Sequence, residues 1–122
     1  MIKKIKIYDY KAVSVWQMFK NKNNPRGYKS EWEDQLNGYA WLVRQNGYDV
    51  QSLRIIGLAR DWQKSKAYFE SSKDGYDQDQ DYPPVQIKMI PIPLWSNEKQ
   101  DEYVRSRVEA HQQAEQLFYT DK

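Results

Sequence analysis

Residues 2–11 read IKKIKIYDYK and alternate between two sets of side chains, which predicts a β-strand. Ile5, Ile7, Asp9 and Lys11 fall on one face of this strand, and lysines and tyrosines fall on the other. Because side chains two residues apart point the same way, the end of the strand presents an acid and an amine to one space.

A loop at residues 21–29 separates this strand from a helical pattern. Ser30 with Glu33 three residues later has the form of a capping box. Apolar side chains then recur at helical spacing until Asn46-Gly47, which has the form of a helix C-terminus. We therefore expect a helix over residues 31–46.

Residues 50–60, VQSLRIIGLAR, predict a second strand, and their apolar run suggests burial on both faces. A strand, a helix and a strand in succession predict parallel pairing across a crossover. Residues 61–84 predict a loop, with one short helical turn near 63–70.

Residues 85–92 predict a third strand, and Pro91 places it at the edge of a sheet. Ser96 is the expected cap of a helix over residues 97–118. The apolar side of this helix is expected to contain Val104, Val108, His111 and Phe118. The prediction is one α/β domain, residues 1–122, with a small mixed sheet and two main helices.

The composition excludes several kinds of site. The chain has no cysteine and one histidine, which excludes disulfides, thiolate metal sites and multi-histidine metal sites and fits a cytoplasmic protein. No apolar run is long enough to span a membrane, and no signal peptide is recognisable. Aromatic residues make up 15% of the chain, so a small core is still achievable.

The net charge of +2 is too balanced to indicate nucleic-acid binding by itself, but the basic residues are unevenly distributed. The first 30 residues contain one carboxylate that precedes the helix, Asp9, against eight cations. These cations are Lys3, Lys4, Lys6, Lys11, Lys20, Lys22, Arg26 and Lys29. The pattern fits either a solvated, solubilising end or a surface that attracts nucleic acid.

Four side chains have the chemistry for a phosphodiester site. Asp9 could hold Mg²⁺ or Mn²⁺ together with the carbonyl of Tyr10, and Lys11 could orient water or stabilise charge on a phosphate. Gln35 and Tyr39 lie four residues apart on the predicted helix, so they share a face and could bind a phosphate by hydrogen bonds.

Several separated landmarks resemble one family of nucleases. The stretch Tyr8-Asp9-Tyr10-Lys11 is followed by Ser14-x-Trp16 and by a helix with Trp32-Glu33-x-Gln35-Leu36-Asn37-x-Tyr39-Ala40-Trp41-Leu42. Further landmarks are Arg60-Asp61-Trp62, Tyr82-Pro83-Pro84, Arg107-Val108 and His111. In this order they are similar to the PD-(D/E)XK nuclease superfamily, in its RecB-like, phage-type exonuclease branch.

The resemblance implies a role for each candidate residue. Asp9 would be the second acidic metal ligand and Lys11 the catalytic lysine, and Gln35 with Tyr39 would be the helix pair that contacts DNA or supports the active site. Asp61 is expected to be a cap or loop anchor. His111 is expected to be a packing residue.

The chain departs from that family at its start. The family's restriction-endonuclease-like core has a helix, three strands, a helix and a strand, and only eight residues precede Asp9 here. We therefore expect the first helix, the first two strands and the first metal-binding carboxylate to be missing, through natural truncation or excision. Weak metal binding should follow, and the strand at residues 2–11 should have a free edge that invites a dimer mate or a second chain.

The sequence thus predicts part of a Mg²⁺- or Mn²⁺-dependent DNA exonuclease that has little or no activity as this chain. One alternative is a non-catalytic module that binds nucleic acid or another partner. A second is one half of a split nuclease, in which another chain supplies the missing acid. A third is a stable domain with no activity of its own.

Overall fold

The structure, a computed structural model, describes residues 3–120, with side chains described up to residue 117. The elements in chain order are β1 (Lys4–Val13), a 3₁₀ turn (Val15–Gln17), α1 (Ser30–Gln45), β2 (Asp49–Ala59), α2 (Lys64–Ser71), β3 (Ile87–Ile92) and α3 (Asn97–Thr120). Within the described residues, three strands form one mixed sheet and three helices accompany it. The α/β prediction is therefore confirmed.

The strands lie in the order β1-β2-β3. β1 pairs with β2 in parallel, which confirms the predicted pairing across α1, and β3 pairs antiparallel to β2 at the edge, as Pro91 predicted. The register places Asp9 opposite Ile55 and Lys11 opposite Gly57. Among the described residues, no strand pairs with the outer edge of β1.

The two faces of the sheet differ sharply. The covered face lies under α1 and has Ile7, Asp9, Lys11, Leu53, Ile55, Gly57, Lys88, Ile90 and Ile92. The open face has Lys4, Lys6, Tyr8, Tyr10, Ala12, Ser52, Arg54, Ile56, Leu58, Ile87, Met89 and Pro91. The prediction that both faces of β2 are buried is therefore wrong, because Leu58 on the open face is 42% exposed.

The core lies between the covered face, α1 and the segments that follow β1. Its residues are Val15, Met18, Phe19, Trp32, Leu36, Ala40, Val50, Leu53, Ile55, Ala59, Ala67, Tyr82, Ile90 and Ile92. A Cβ on Gly57 would lie 2.9 Å from Cε of the fully buried Met18, so the glycine makes room for that side chain. Met18 thereby fills the space over the central strand beside Lys11.

Most element boundaries agree with the sequence to within two residues. The strand predicted over 2–11 extends from Lys4 to Val13, and its first residue, Ile2, lies outside the described part of the chain. The third strand begins at Ile87, two residues later than predicted. Gly47 has φ of +89° after α1, which confirms the predicted C-terminal signal because glycine adopts this conformation most readily.

The predicted capping box at the start of α1 is wrong. Lys29 is the N-cap, Ser30 is already helical, and no side chain caps this end. Glu33 instead accepts hydrogen bonds from the hydroxyl of Tyr28 at 2.6 Å and from Nε1 of Trp95 at 2.7 Å. A tertiary contact has therefore replaced the local one, and it ties α1 to the loop before it and to the segment after β3.

These contacts shift two pKa values. Burial alone would raise the pKa of Glu33, but the hydrogen bonds from Tyr28 and Trp95 and the nearby Arg26 outweigh it and lower that pKa. Burial first, and then the carboxylate of Glu33, raise the pKa of Tyr28 to about 12. Tyr28 is therefore a permanent donor at neutral pH, and Glu33 is a permanent acceptor.

A network of buried amides docks α3 against α1. The Asn37 side chain donates to the carbonyls of Glu33 and Pro93, and its Oδ1 accepts from Trp95 N and from Gln100 Nε2. Gln100, only 1% exposed, accepts from Arg44 through its Oε1 at 2.6 Å. Because these buried amides have partners, the α1–α3 contact is specified by polar geometry as well as by packing.

The start of α3 follows its prediction, and its later part does not. Ser96 Oγ accepts from Lys99 N at 3.2 Å, which confirms the predicted cap. Val108 is 49% exposed and His111 is exposed, so the prediction that they form a packed apolar side is wrong. The side chain of Phe118 lies outside the described residues.

We predict that Glu33→Gln lowers the free energy of unfolding by about 1–2 kcal/mol at pH 7, because a charge-assisted acceptor becomes neutral. The pKa of Glu33 is lower in the folded than in the unfolded protein, so its contribution is fully present above the ordinary pKa of a glutamate and is lost as the pH falls through the folded value. Urea denaturation of both proteins from pH 7 to pH 3 should show the difference shrinking.

Glu31→Gln is the matched control, since Glu31 lies in the same first turn of α1 and is exposed. Both substitutions remove the same favourable charge at the helix N-terminus, so that effect cancels in the comparison. Equal losses of stability in the two variants would mean that the bonds from Tyr28 and Trp95 contribute nothing.

Candidate functional site

Lys11 is the centre of a polar cluster that joins β1 to α1. Its Nζ lies 3.1 Å from Oδ2 of Asp9 and donates to Oε1 of Gln35 at 2.8 Å. Gln35 Nε2 in turn donates to the hydroxyl of Tyr39 at 2.8 Å. The structure thus brings all four predicted side chains into one continuous chain of contacts, which we call the Lys11 cluster.

Regular backbone geometry positions each member of the Lys11 cluster. Asp9 and Lys11 lie two residues apart on β1, on the face over which α1 crosses. Gln35 and Tyr39 lie four residues apart on α1, beside the buried Leu36 and Ala40 that pack α1 against the sheet. Because two rigid elements hold the cluster, its geometry does not depend on a loop.

Asp9 has an unusual environment. Its Oδ2 is inaccessible to solvent and has no aligned hydrogen-bond partner among the described residues, although the Lys11 ammonium lies 3.1 Å away. We take the contact as an ion pair whose geometry falls short of a good hydrogen bond. The side chain as a whole is 27% exposed, so the exposure belongs to its other atoms. One carboxylate oxygen of Asp9 is therefore shielded from water, and the ion pair with Lys11 only partly offsets the loss of its hydration.

The Lys11 cluster does not form a complete metal site. A divalent cation generally needs several oxygen ligands, and Asp9 supplies the cluster's one carboxylate. Within residues 3–117, no three His, Cys, Asp or Glu side chains form a group that could hold a metal ion. The Lys11 ammonium also already neutralises Asp9. The residues present would therefore hold Mg²⁺ or Mn²⁺ only weakly without further ligands.

The carbonyl of Tyr10, which is the predicted backbone ligand, points to the outer edge of the sheet. The carbonyl of Lys3 accepts from Asp49 N at the start of β2, and the carbonyl of Val13 accepts from Arg60 N just after the end of β2. Backbone groups alternate in direction along a strand, so the even-numbered carbonyls of β1 point away from β2. The carbonyl of Tyr10 thus lies on the free edge, where a ligand or another strand could reach it.

The Lys11 cluster lies at the surface. Gln35 is exposed, Tyr39 is 42% exposed and the Lys11 side chain is 23% exposed. The cavities of about 800 Å³ and 550 Å³ along α3 and of about 420 Å³ at residues 23–31 do not include it. An extended polymer at the edge of the sheet suits this position better than an enclosed small molecule.

Asp61 has the structural role that its position predicted. Its carboxylate accepts from Val15 N at 2.7 Å and from Ser14 Oγ at 2.9 Å, which anchors the 3₁₀ turn to the end of β2. These two bonds, from the backbone of Val15 first, lower the pKa of Asp61. Trp62 Nε1 donates to the carbonyl of Pro83 at 2.9 Å. Two of the landmarks therefore hold the fold together.

The open face of the sheet is a surface that the sequence reasoning did not single out. It assigned Lys6, Tyr8 and Tyr10 to the side of β1 opposite the Lys11 cluster, but it expected that side of the neighbouring β2 to be buried. Arg54 and Tyr8 are in fact opposite each other on this face. The signal in the sequence was that every second residue from Lys4 to Tyr10 is a lysine or a tyrosine, which places all four on one face of β1.

Comparison with known proteins identifies no relative of this chain. No family model, curated protein or solved structure matches this chain. Within residues 3–120, no helix combines the length and apolar character that crossing a membrane requires. The class of the protein is therefore a small α/β domain with a surface cluster of acid, amine, amide and phenol.

We predict that Asp9 and Lys11 are energetically coupled. Urea denaturation of Asp9→Asn, Lys11→Met and the double variant should give a coupling of about 0.5–1 kcal/mol, the upper part of the range for accessible ion pairs. Lys11→Met alone should be the most destabilising, because it leaves the shielded Oδ2 without a cation.

The pair Glu70–Lys73 provides the matched control, because its ion pair has the same 3.1 Å separation and a more exposed lysine. The cycle from Glu70→Gln and Lys73→Met should give a smaller coupling. If the Asp9–Lys11 coupling does not exceed it, the shielding of Asp9 Oδ2 does not strengthen the ion pair in the Lys11 cluster.

Proposed function

We propose that this chain is part of a metal-dependent DNA nuclease and that it cleaves DNA slowly or not at all by itself. The observation that carries the proposal is the Lys11 cluster, in which an acid and an amine from β1 meet an amide and a phenol from α1. The order of the residues resembles the PD-(D/E)XK nucleases, and the strand–helix–strand arrangement is compatible with that resemblance.

The chemistry of the Lys11 cluster supports a phosphate ligand. The Lys11 ammonium is held between Asp9 and Gln35, so it is a preorganised positive charge at the protein surface. Gln35 and Tyr39 add an amide and a hydroxyl that can donate to phosphate oxygens. The free edge of β1 leaves room for a nucleic-acid backbone beside these groups.

The same geometry supports weak activity. Phosphodiester hydrolysis with a divalent cation needs carboxylates that hold the cation near the attacked phosphate. Asp9 is the one carboxylate in the Lys11 cluster, and its shielded oxygen faces Lys11. A second acid would have to come from a strand paired with the outer edge of β1. The split-nuclease alternative differs from this proposal in naming a separate chain as its source.

The test uses Mn²⁺ and a short DNA duplex as probes in NMR. Mn²⁺ at millimolar concentration should broaden the amide signals of residues 9–11, and Asp9→Asn should abolish this broadening. The DNA should shift the side-chain amide signals of Gln35, and Lys11→Ala should reduce the shift. With labelled DNA and Mn²⁺, we expect little or no cleavage.

Lys73→Ala is the control for the loss of a surface lysine from an ion pair and should leave both signals unchanged. The stretch Asp74–Asp81, which is rich in carboxylates, provides an internal comparison for non-specific Mn²⁺ binding. The nuclease proposal is wrong if two results occur together. Mn²⁺ broadens the signals of that stretch but not those of residues 9–11, and DNA does not shift the signals of Gln35.

A further inference from the structure

The open face of the sheet combines free aromatic rings with cations. Tyr8 is 41% exposed and Tyr10 is 76% exposed, and among the described residues neither has a hydrogen bond or ring contact. Lys4 and Lys6 precede them in the same alternation and are exposed. The face on which these four residues lie is opposite the Lys11 cluster.

The register adds Arg54 to this surface. Arg54 on β2 lies opposite Tyr8, and its guanidinium reaches toward β3, 3.7 Å from Sδ of Met89. Ile56 lies between Tyr10 and Met89 in the next row. A planar guanidinium, two aromatic rings and two apolar side chains therefore share this face, and flat rings can stack on groups of the first two kinds.

The charge of the open face is unbalanced. Lys4, Lys6 and Arg54 face one carboxylate, Asp49, which lies opposite Lys4 at the far end of the sheet and accepts from Val50 N. Around the two tyrosines the strands therefore present cations without an acid. This favours a polyanionic partner.

The spacing of the rings matches the same kind of partner. Side chains on one face of a strand recur about every 7 Å, which is roughly twice the 3.4 Å rise between stacked bases. Successive bases of an extended single strand can thus each stack on one ring, Tyr8 or Tyr10. In a duplex the faces of the bases are already stacked and are out of reach.

We propose that the open face binds single-stranded nucleic acid, with Tyr8 and Tyr10 stacking on bases and Lys6, Arg54 and Lys4 contacting phosphates. This goes beyond the proposed nuclease function, because it uses the opposite face of the sheet and needs no metal. A second copy of the chain fits less well, since two such faces would bring Lys6 and Arg54 of both copies together.

The experiment measures fluorescence anisotropy of a labelled oligothymidylate of about 12 nucleotides, with a duplex of the same length for comparison. The single strand should bind more tightly than the duplex. Tyr10→Thr and Tyr8→Thr keep strand propensity and should each weaken binding about tenfold. Tyr68→Thr removes a tyrosine that is 80% exposed on α2 and should have no effect.

The salt dependence tests the contribution of the cations, and two of the three are substituted one at a time. Three phosphate contacts to a single strand predict a slope of about −2 in log K against log salt concentration. Lys6→Gln and Arg54→Gln should each reduce its magnitude by about 0.7. Lys22→Gln, in an exposed loop, should leave the slope unchanged.

Several results would overturn the proposal. One is the absence of oligothymidylate binding. Another is unchanged affinity in both tyrosine variants of the open face while circular dichroism shows an intact fold. A third is a loss of affinity in the Tyr68 variant equal to that in the Tyr8 and Tyr10 variants. Self-association in sedimentation that Tyr10→Thr abolishes, without any binding of the oligonucleotide, would assign the open face to a second copy. The nuclease test measures the signals of residues 9–11 and Gln35, whereas this test measures the effect of the open-face variants on oligothymidylate binding. Failure here and failure of the nuclease proposal are therefore distinguishable.

Discussion

The parallel pairing of β1 with β2 is the constraint on which the rest of the structure depends. Parallel neighbours cannot be joined by a tight turn, so the chain must cross from one end of the sheet to the other, and α1 makes that crossing. The helix can cover one face only. That single choice makes one side of the sheet a core and leaves the other side to solvent.

Alternation along β1 then assigns neighbouring residues to different surfaces. Asp9 and Lys11 point toward α1 and meet Gln35, whereas Tyr8 and Tyr10 point away from it. A shift of the strand by one residue would exchange these sets, so the register matters as much as the composition. The bonds of Asp61 to Ser14 and Val15 hold the end of β1 against the end of β2 and so protect that register.

Polar contacts inside the fold were beyond sequence reasoning. Glu33 had the spacing of a capping box, but its carboxylate reaches Trp95, which is distant along the chain. Asn37 and Gln100 look like ordinary surface amides and are nearly inaccessible. Such contacts form because the segment after β3 and the start of α3 pack against α1. Nothing local in the sequence encodes that packing.

The sequence by itself determined the strands, the helices and the parallel crossover, because hydrophobic periodicity, turn residues and caps act over a few neighbouring positions. It also placed Asp9 with Lys11 and Gln35 with Tyr39, since backbone periodicity dictates which side chains share a face. Only the tertiary structure decided that these two pairs meet through Lys11 and that the tyrosines of β1 remain uncovered. Both outcomes depend on which face of the sheet α1 packs against, and packing between distant segments settles that.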